Sequence, residues 1–203
     1  MPEIYGPAEG HWKPMQPHDV AALLARINVP WWVAGGWALD LFLGSQTRSH
    51  DDFDVGVLRR DVTDVVAGLS GWEFFEASSG MLYRLGGYGH PRPEVNSLWC
   101  RPCNAEWWSL ELMLDEADGD TWIFRRLPTI RGSLATAIRR TADGIPYLTP
   151  EIQLLYKARR PRAKDQDDFE RVLERLGPGE RVWLRDALSV VDPEHAWLTK
   201  LRT

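Results

Sequence analysis

Between Asp52 and Leu58 the chain reads Asp-Phe-Asp-Val-Gly-Val-Leu, an alternation of acidic and apolar residues that a β-strand sorts onto two faces. Phe53, Val55 and Val57 share one face, and Asp52, Asp54 and Gly56 share the other. The apolar set belongs against a core, which pins the register. Both carboxylates are then held on one face, about 7 Å apart at the backbone, with Asp51 directed to the opposite side. A chain carrying this strand must build a sheet that covers one face and leaves two charges reachable on the other.

A second feature precedes that strand. Trp31-Trp32-Val33-Ala34 reads as a short buried strand running into Gly35-Gly36, and residues 37–43 have helical character and stop at Gly44. A glycine pair at a helix start lets the backbone approach a phosphate closely, and it points unpaired N–H groups at it, aided by the positive end of the helix dipole. Sixteen residues separate Gly36 from Asp52. On a later strand, spanning 107–114, Leu110, Leu112 and Leu114 face one way and Glu111, its only charge, faces the other. Three carboxylates gathered from two strands concentrate negative charge that hard cations neutralise. Mg²⁺ is the expected guest, bound through a few carboxylates together with phosphates and waters.

The 203 residues make one or at most two domains, and 44% apolar with 26% charged residues is globular composition rather than disordered. Lys and Arg total 24 against 29 Asp and Glu, a formal net charge of −5. That balance argues against a nucleic-acid partner and suits a cationic small substrate. No apolar run reaches the roughly 18 residues of a membrane span, and the first residues lack the pattern of a signal peptide. The expectation is therefore a cytoplasmic protein with no membrane partner. Cys100 and Cys103 have no second pair to complete a zinc site and read as reduced structural thiols.

Residues 1–18, with four prolines, read as an extended arm. Asp19 then caps a helix carrying Val20, Leu23, Leu24 and Ile27, which Pro30 ends. A helix is expected from about Asp61 to Leu69, then strands at 72–77, 81–86 and 94–100, and a hairpin turn at Asp118-Gly119. The acids Asp115, Glu116, Asp118 and Asp120 read as a solvated hairpin tip. From Thr149 the texture becomes helical, with Pro150 at a first helical position and further helices at about 164–176 and 180–191. These readings divide the chain into an arm (1–18), a catalytic domain (19–145) and a helical C-terminal segment (146–203). The stretch Lys157–Lys164 holds five basic residues in eight. It reads as a solvated junction with Lys164 paired to Asp165 or Asp168, or as an element that reaches a triphosphate.

The block Val33-Ala34-Gly35-Gly36-Trp37-Ala38-Leu39-Asp40, followed by Leu43-Gly44, Thr47-Arg48 and His50-Asp51-Asp52-Phe53-Asp54, resembles the polymerase-beta-like nucleotidyltransferases. Within them it is similar to the aminoglycoside 2''-nucleotidyltransferases and the related lincosamide enzymes. The resemblance implies an α/β (α+β) fold with a mixed β-sheet flanked by helices. It also implies transfer of a nucleoside monophosphate from a nucleoside triphosphate, ATP being the expected donor, to a hydroxyl of a small molecule such as an aminoglycoside. Asp52 and Asp54 would bind one or two Mg²⁺. Glu111 would be the third carboxylate, as a metal ligand or as general base. Gly35 and Gly36 would receive the phosphates, and Arg48, His50 and Lys157 would neutralise the pyrophosphate; His50 could equally be a hydrogen-bonded neighbour of the acidic strand. Asp40 reads as a helix-end or supporting residue. Trp107, Trp108 and Glu106 are the suspects for acceptor recognition. The alternatives are a non-catalytic nucleotide-binding or regulatory protein of the toxin–antitoxin kind, and nucleotidylation of a macromolecule.

Overall fold

A computed structural model describes residues 3–86 and 89–202; Met1 and Pro2 of the expected arm lie outside them. Asp54–Leu58 forms strand β3 at the middle of a mixed sheet. On one side it pairs antiparallel with β2 (Trp31–Val33), and on the other it runs parallel to β7 (Leu110–Asp118). Beyond β7 come β6 (Ser97–Pro102), β4 (Trp72–Ser78), β5 (Met81–Arg84) and the edge strand β1 (Ile4–Pro7). Beyond β2 lie β11 (Pro146–Leu148) and β10 (Ile138–Arg140), while β8 (Thr121–Ile123) and β9 (Arg131–Ser133) extend the hairpin from β7. The fold is thus α/β with a mixed sheet, as expected.

The apolar alternation of β3 and β7 decides which layers cover the sheet. Val55, Val57, Leu110, Leu112 and Leu114 are fully buried on one face. They pack with α1 (Pro17–Leu24) and α3 (Val62–Gly68) in a single core. The other face carries two separate covers. Trp32 and Leu58 are buried in a core shared with the C-terminal helices α5 (Pro150–Lys157), α6 (Ala163–Leu173), α7 (Pro178–Val191) and α8 (Trp197–Leu201). Within it Phe169 and Trp197 stack at 4.2 Å with an interplanar angle of 2°, and a fully buried side chain of this size contributes about 2–3 kcal/mol of apolar transfer. Farther along, Ala8 and Trp12 of the N-terminal arm pack onto Phe75, Leu82 and Trp108. Between the two covers the polar face of β3 and β7 is left open.

Several expectations change in detail. The arm contributes a strand: β1 pairs antiparallel with β5, and Trp12 bridges Trp108 in parallel. The first helix starts at Pro17 rather than Asp19 and ends at Leu24. The strand at 52–58 begins only at Asp54, and Asp52 sits in the bend before it. Glu111 stands on an interior strand between β3 and β6. The short elements β9, α4 (Leu134–Ala137), β10 and β11 between residues 131 and 148 had no counterpart in the sequence reading. β11 pairs parallel with β2, so the sheet continues past residue 145 and the helical run starts at Pro150. Both cysteines are free, Cys100 buried and Cys103 exposed. Among the described residues no helix is long and apolar enough to cross a membrane.

Candidate active site

The register of the parallel pair sets Asp54 directly beside Glu111, and paired residues of adjacent strands project to the same face. Asp52 approaches from the bend. Burial pushes the Asp54 carboxyl well above the usual carboxylate range, and the charges of Glu111 and Asp52 raise it further against the partial relief of Lys157 and Lys164. Burial also raises Glu111, with Asp52 adding to it, while the Ser97 and Trp99 side chains on β6 pull it back. Among the described residues no three His, Cys, Asp or Glu side chains converge on one point. The donor set still fits a hard divalent cation: all its donors are carboxylate oxygens, Asp54 and Glu111 share one face, and the charge of Asp52 makes both costlier to ionise.

Gly35 opens α2 (Gly35–Leu43). It has φ +65°, and a Cβ there would overlap the Asp54 carboxylate. Its N–H donates to Gln153 Oε1 at 2.8 Å, so what Gly35 gives the site is room for Asp54, not a free donor. A Cβ on Gly36 would stand 2.5 Å from Arg48 Nη2 and from the His50 ring.

Behind the glycines runs a closed network of charges. Arg48 donates from Nε and Nη2 to the two carboxylate oxygens of Asp168, at 3.1 and 3.0 Å. Lys157 Nζ stands 3.1 Å from Asp168 and 2.8 Å from Asp165, and Arg162 donates from Nε to Asp165. Arg48 Nη1 also meets His50 Nδ1 at 3.1 Å. A guanidinium only donates, so Nδ1 accepts and the imidazole proton sits on Nε2, aimed at Asp40 Oδ2 2.6 Å away. Thr47 Oγ1 donates to the other oxygen of Asp40 at 2.6 Å. Burial alone would raise Asp165 and Asp168, but the hydrogen bonds and charges of Arg162, Arg48 and Lys157 outweigh it and hold both below the ordinary range.

In front of this network lies a cleft of about 430 Å³. It is lined by Gly35, Gly36, Asp52 and Asp54 together with Arg48, Arg126 and every basic residue of the 157–164 stretch, namely Lys157, Arg159, Arg160, Arg162 and Lys164.

Of the expected site residues, the structure brings Asp52, Asp54, Gly35, Gly36, Arg48 and Lys157 to this cleft. Glu111 adjoins it through its register with Asp54. Of the two places expected for His50, the geometry matches the hydrogen-bonded neighbour: its side chain is 3% exposed and bonded to Asp40 and Arg48. Lys164 pairs with Asp51, at 3.3 Å, rather than with Asp165 or Asp168. Asp115 is no hairpin-tip residue; it is buried and accepts a hydrogen bond from the Tyr156 hydroxyl at 2.8 Å. Trp108 is buried beneath the arm, and Trp107 is turned out toward Lys13. Gln153 and Tyr156 have no counterpart in the sequence reading, and Asp165 and Asp168 enter it only as partners of Lys164. Only Asp165 and Asp168 gave a local cue, as acids beside a basic run.

Residues 17–84, about a third of the chain, match the family described as Aminoglycoside-2''-adenylyltransferase. A 2''-aminoglycoside nucleotidyltransferase of Escherichia coli is 34% identical over 97 residues, 46% of this chain and 49% of that one, and one of Klebsiella pneumoniae gives the same figures. The chain thus matches about half the length of these curated relatives. Its fold superposes on the crystal structure of ANT(2'')-Ia in complex with adenylyl-2''-tobramycin with a TM-score of 0.54 at 17% identity, covering 86% of this chain and 95% of the other. On the lincomycin-bound lincosamide adenylyltransferase LnuA it superposes with a TM-score of 0.52 at 17% identity, covering 75% and 91%. At that identity the likeness is one of fold.

Proposed function

We propose that this chain is an Mg²⁺-dependent enzyme that transfers a nucleoside monophosphate from a nucleoside triphosphate, ATP in the first instance, to a hydroxyl of an aminoglycoside-type antibiotic in the cytoplasm. One observation carries the reading: a single cleft gathers carboxylates that repel one another and seven cationic side chains. A triphosphate with a divalent cation complements both sets of charges at once. Bound there, Mg²⁺ would neutralise charge on the triphosphate and orient it. Asp52 and Asp54 are the residues that would hold it. The basic residues of the 157–164 stretch lie where the β- and γ-phosphates would, and Arg48 and Lys157 are fixed in place by Asp168 and Asp165.

In the transfer, the acceptor oxygen bonds to the α-phosphorus as the bond from that phosphorus to the bridging oxygen breaks, its electron pair leaving with pyrophosphate. The hydroxyl proton passes to a carboxylate. Glu111 takes that role in this reading because it stands beside Asp54 and burial raises its carboxyl.

The purified chain, with Mg²⁺ and ATP or GTP, is expected to release pyrophosphate in the presence of at least one member of an aminoglycoside panel. Asp54→Asn should lower that rate by about 10²-fold or more. Silence across the donor and acceptor panel, with nucleotide bound normally, would overturn the reading.

A further inference from the structure

In-line attack on the α-phosphorus requires the acceptor oxygen to enter opposite the departing pyrophosphate. The pyrophosphate side is that of the cations at the α5–α6 junction, which line the cleft. The acceptor side is therefore across Asp54, over β7 and β6. There the register sets Asp54 beside Glu111 and Glu111 beside Trp99, one residue from each strand on one face, at interstrand steps of about 4.8 Å. The Trp99 side chain hydrogen-bonds toward the Glu111 carboxylate. Trp12, from the N-terminal arm, stands edge-on to Trp99 with ring centroids 5.0 Å apart at 71°. Both indoles are only partly buried, whereas Trp108 beneath them is 3% exposed.

The arm is anchored at this point. Trp108 N–H donates to His11 C=O and Lys13 N–H to Trp108 C=O, each at 2.9 Å, which holds Trp12 beside the start of β7. The cations on this side are engaged elsewhere: Arg84 and Arg101 are tied to Glu73, and Lys13 lies over Trp107. A surface with two partly open indole faces, a carboxylate at its edge and the charges of Asp52 and Asp54 behind it suits a ligand that is both saccharide and cation. Ring faces pack on the indoles, and ammonium groups are drawn to the aromatic quadrupoles and the carboxylates.

We propose that Trp12 and Trp99, with Glu111 at their edge, form the acceptor platform of this enzyme, and that its ligand is an amino sugar. The inference rests on the transfer reading above and adds the acceptor side, which makes the N-terminal arm part of the site in place of Trp107 and Trp108.

The test uses the whole chain with tobramycin as probe. With tryptophan indoles labelled with ¹⁵N, and signals assigned through Trp12→Phe and Trp99→Phe, tobramycin is expected to shift the Trp12 and Trp99 signals saturably. The Trp197 signal, from the stack on Phe169, stays in place. In turnover, Trp12→Ala should raise the tobramycin KM about tenfold, corresponding to about 1.4 kcal/mol, and Trp12→Phe, which retains an aromatic face, about threefold. The Kd for nucleotide, measured without acceptor, should stay within about twofold in both. Transfer that proceeds while the Trp12 and Trp99 signals stay put, or with an unaltered tobramycin KM in Trp12→Ala, overturns the platform and leaves the transfer reading standing. No transfer with any donor and acceptor, together with no saturable shift, removes the transfer reading and the platform with it.

Discussion

Two groups of acids, one buried and one half-buried, stand on either side of one short stretch of backbone at Gly35 and Gly36, and the fold treats them in opposite ways. Asp165 and Asp168, on α6, are each given cations of the chain's own: Arg48 and Lys157 for Asp168, Lys157 and Arg162 for Asp165. Their carboxyls are accordingly held low. Asp54 and Glu111, on β3 and β7, are half-buried and among the described residues have no cation in ion-pairing contact, and desolvation pushes their carboxyls up. A chain that needed its acids only for stability would neutralise both groups. Leaving one uncompensated is a cost that a divalent cation from outside would offset, and this separates charges that hold the network from charges that await a ligand.

The comparison breaks most visibly at Asp168. Asp168→Asn leaves Arg48 without its two-pronged partner and Lys157 with only Asp165, and it should lower the unfolding free energy by about 3 kcal/mol. Asp54→Asn removes a carboxylate that burial and two like charges disfavour. In metal-free buffer it should leave stability unchanged or raise it by about 1 kcal/mol. Urea unfolding of the three proteins decides the matter, and equal losses in both variants would erase the distinction. Mg²⁺ should then raise the melting temperature of the parent more than that of Asp54→Asn.

Much of the second group was legible in the sequence, because a strand's period of two is local information. The alternation at 52–58 separated Asp54 from Val55 and Val57, and that at 110–114 separated Glu111 from its leucines. Their adjacency was not readable, since which strands pair is settled by packing. The first group was opaque for the same reason. Arg48 finds Asp168 120 residues away, and Gly35 finds Gln153 118 residues away. With its partner out of view, a basic residue next to an acidic strand reads equally as a phosphate ligand or as a hydrogen-bonded neighbour, and His50 stayed open between the two. Strands of three residues such as β9, β10 and β11 are too short to show any period. Asp115 is the instructive miss: four acids near a turn suggested solvent, yet the alternation from Glu111 through Met113 already put Asp115 on the face that carries Glu111.

Asp115 lies between the two groups in character. It has the Tyr156 hydroxyl at 2.8 Å and Arg125 only at 4.0 Å, and burial pushes its carboxyl up to about 6 in spite of them. A raised carboxyl means that the folded state holds its proton longer than the unfolded chain does. Stability from this group is therefore complete below about pH 4 and declines as pH rises to about 6. Asp115→Asn keeps an acceptor for Tyr156 and removes the decline, so it should match the parent below about pH 4 and exceed it by about 3 kcal/mol well above pH 6. Parallel pH profiles for the two proteins would show that Asp115 is as well compensated as Asp168.

The smallest effect sharpens the comparison from the other end. Glu73 accepts from Arg84 at 2.8 Å and from Arg101 at 2.9 Å, a compensated acid like Asp168, but Arg84 is nearly half exposed. Burial works against its charge, and the two guanidinium groups outweigh it, leaving the carboxyl below its ordinary value. A lowered carboxyl contributes stability above the unfolded-state pKa and loses it as pH falls through the folded one. Water and salt screen an ion pair at this depth, so Glu73→Gln should cost about 0.5 kcal/mol at pH 7, and less in high salt. Asp168→Asn, whose partners are largely sealed from solvent, should keep most of its loss at the same salt. If the two losses scale alike with ionic strength, partner burial is not what sets the α6 acids apart, and the network behind the glycines is an ordinary surface one.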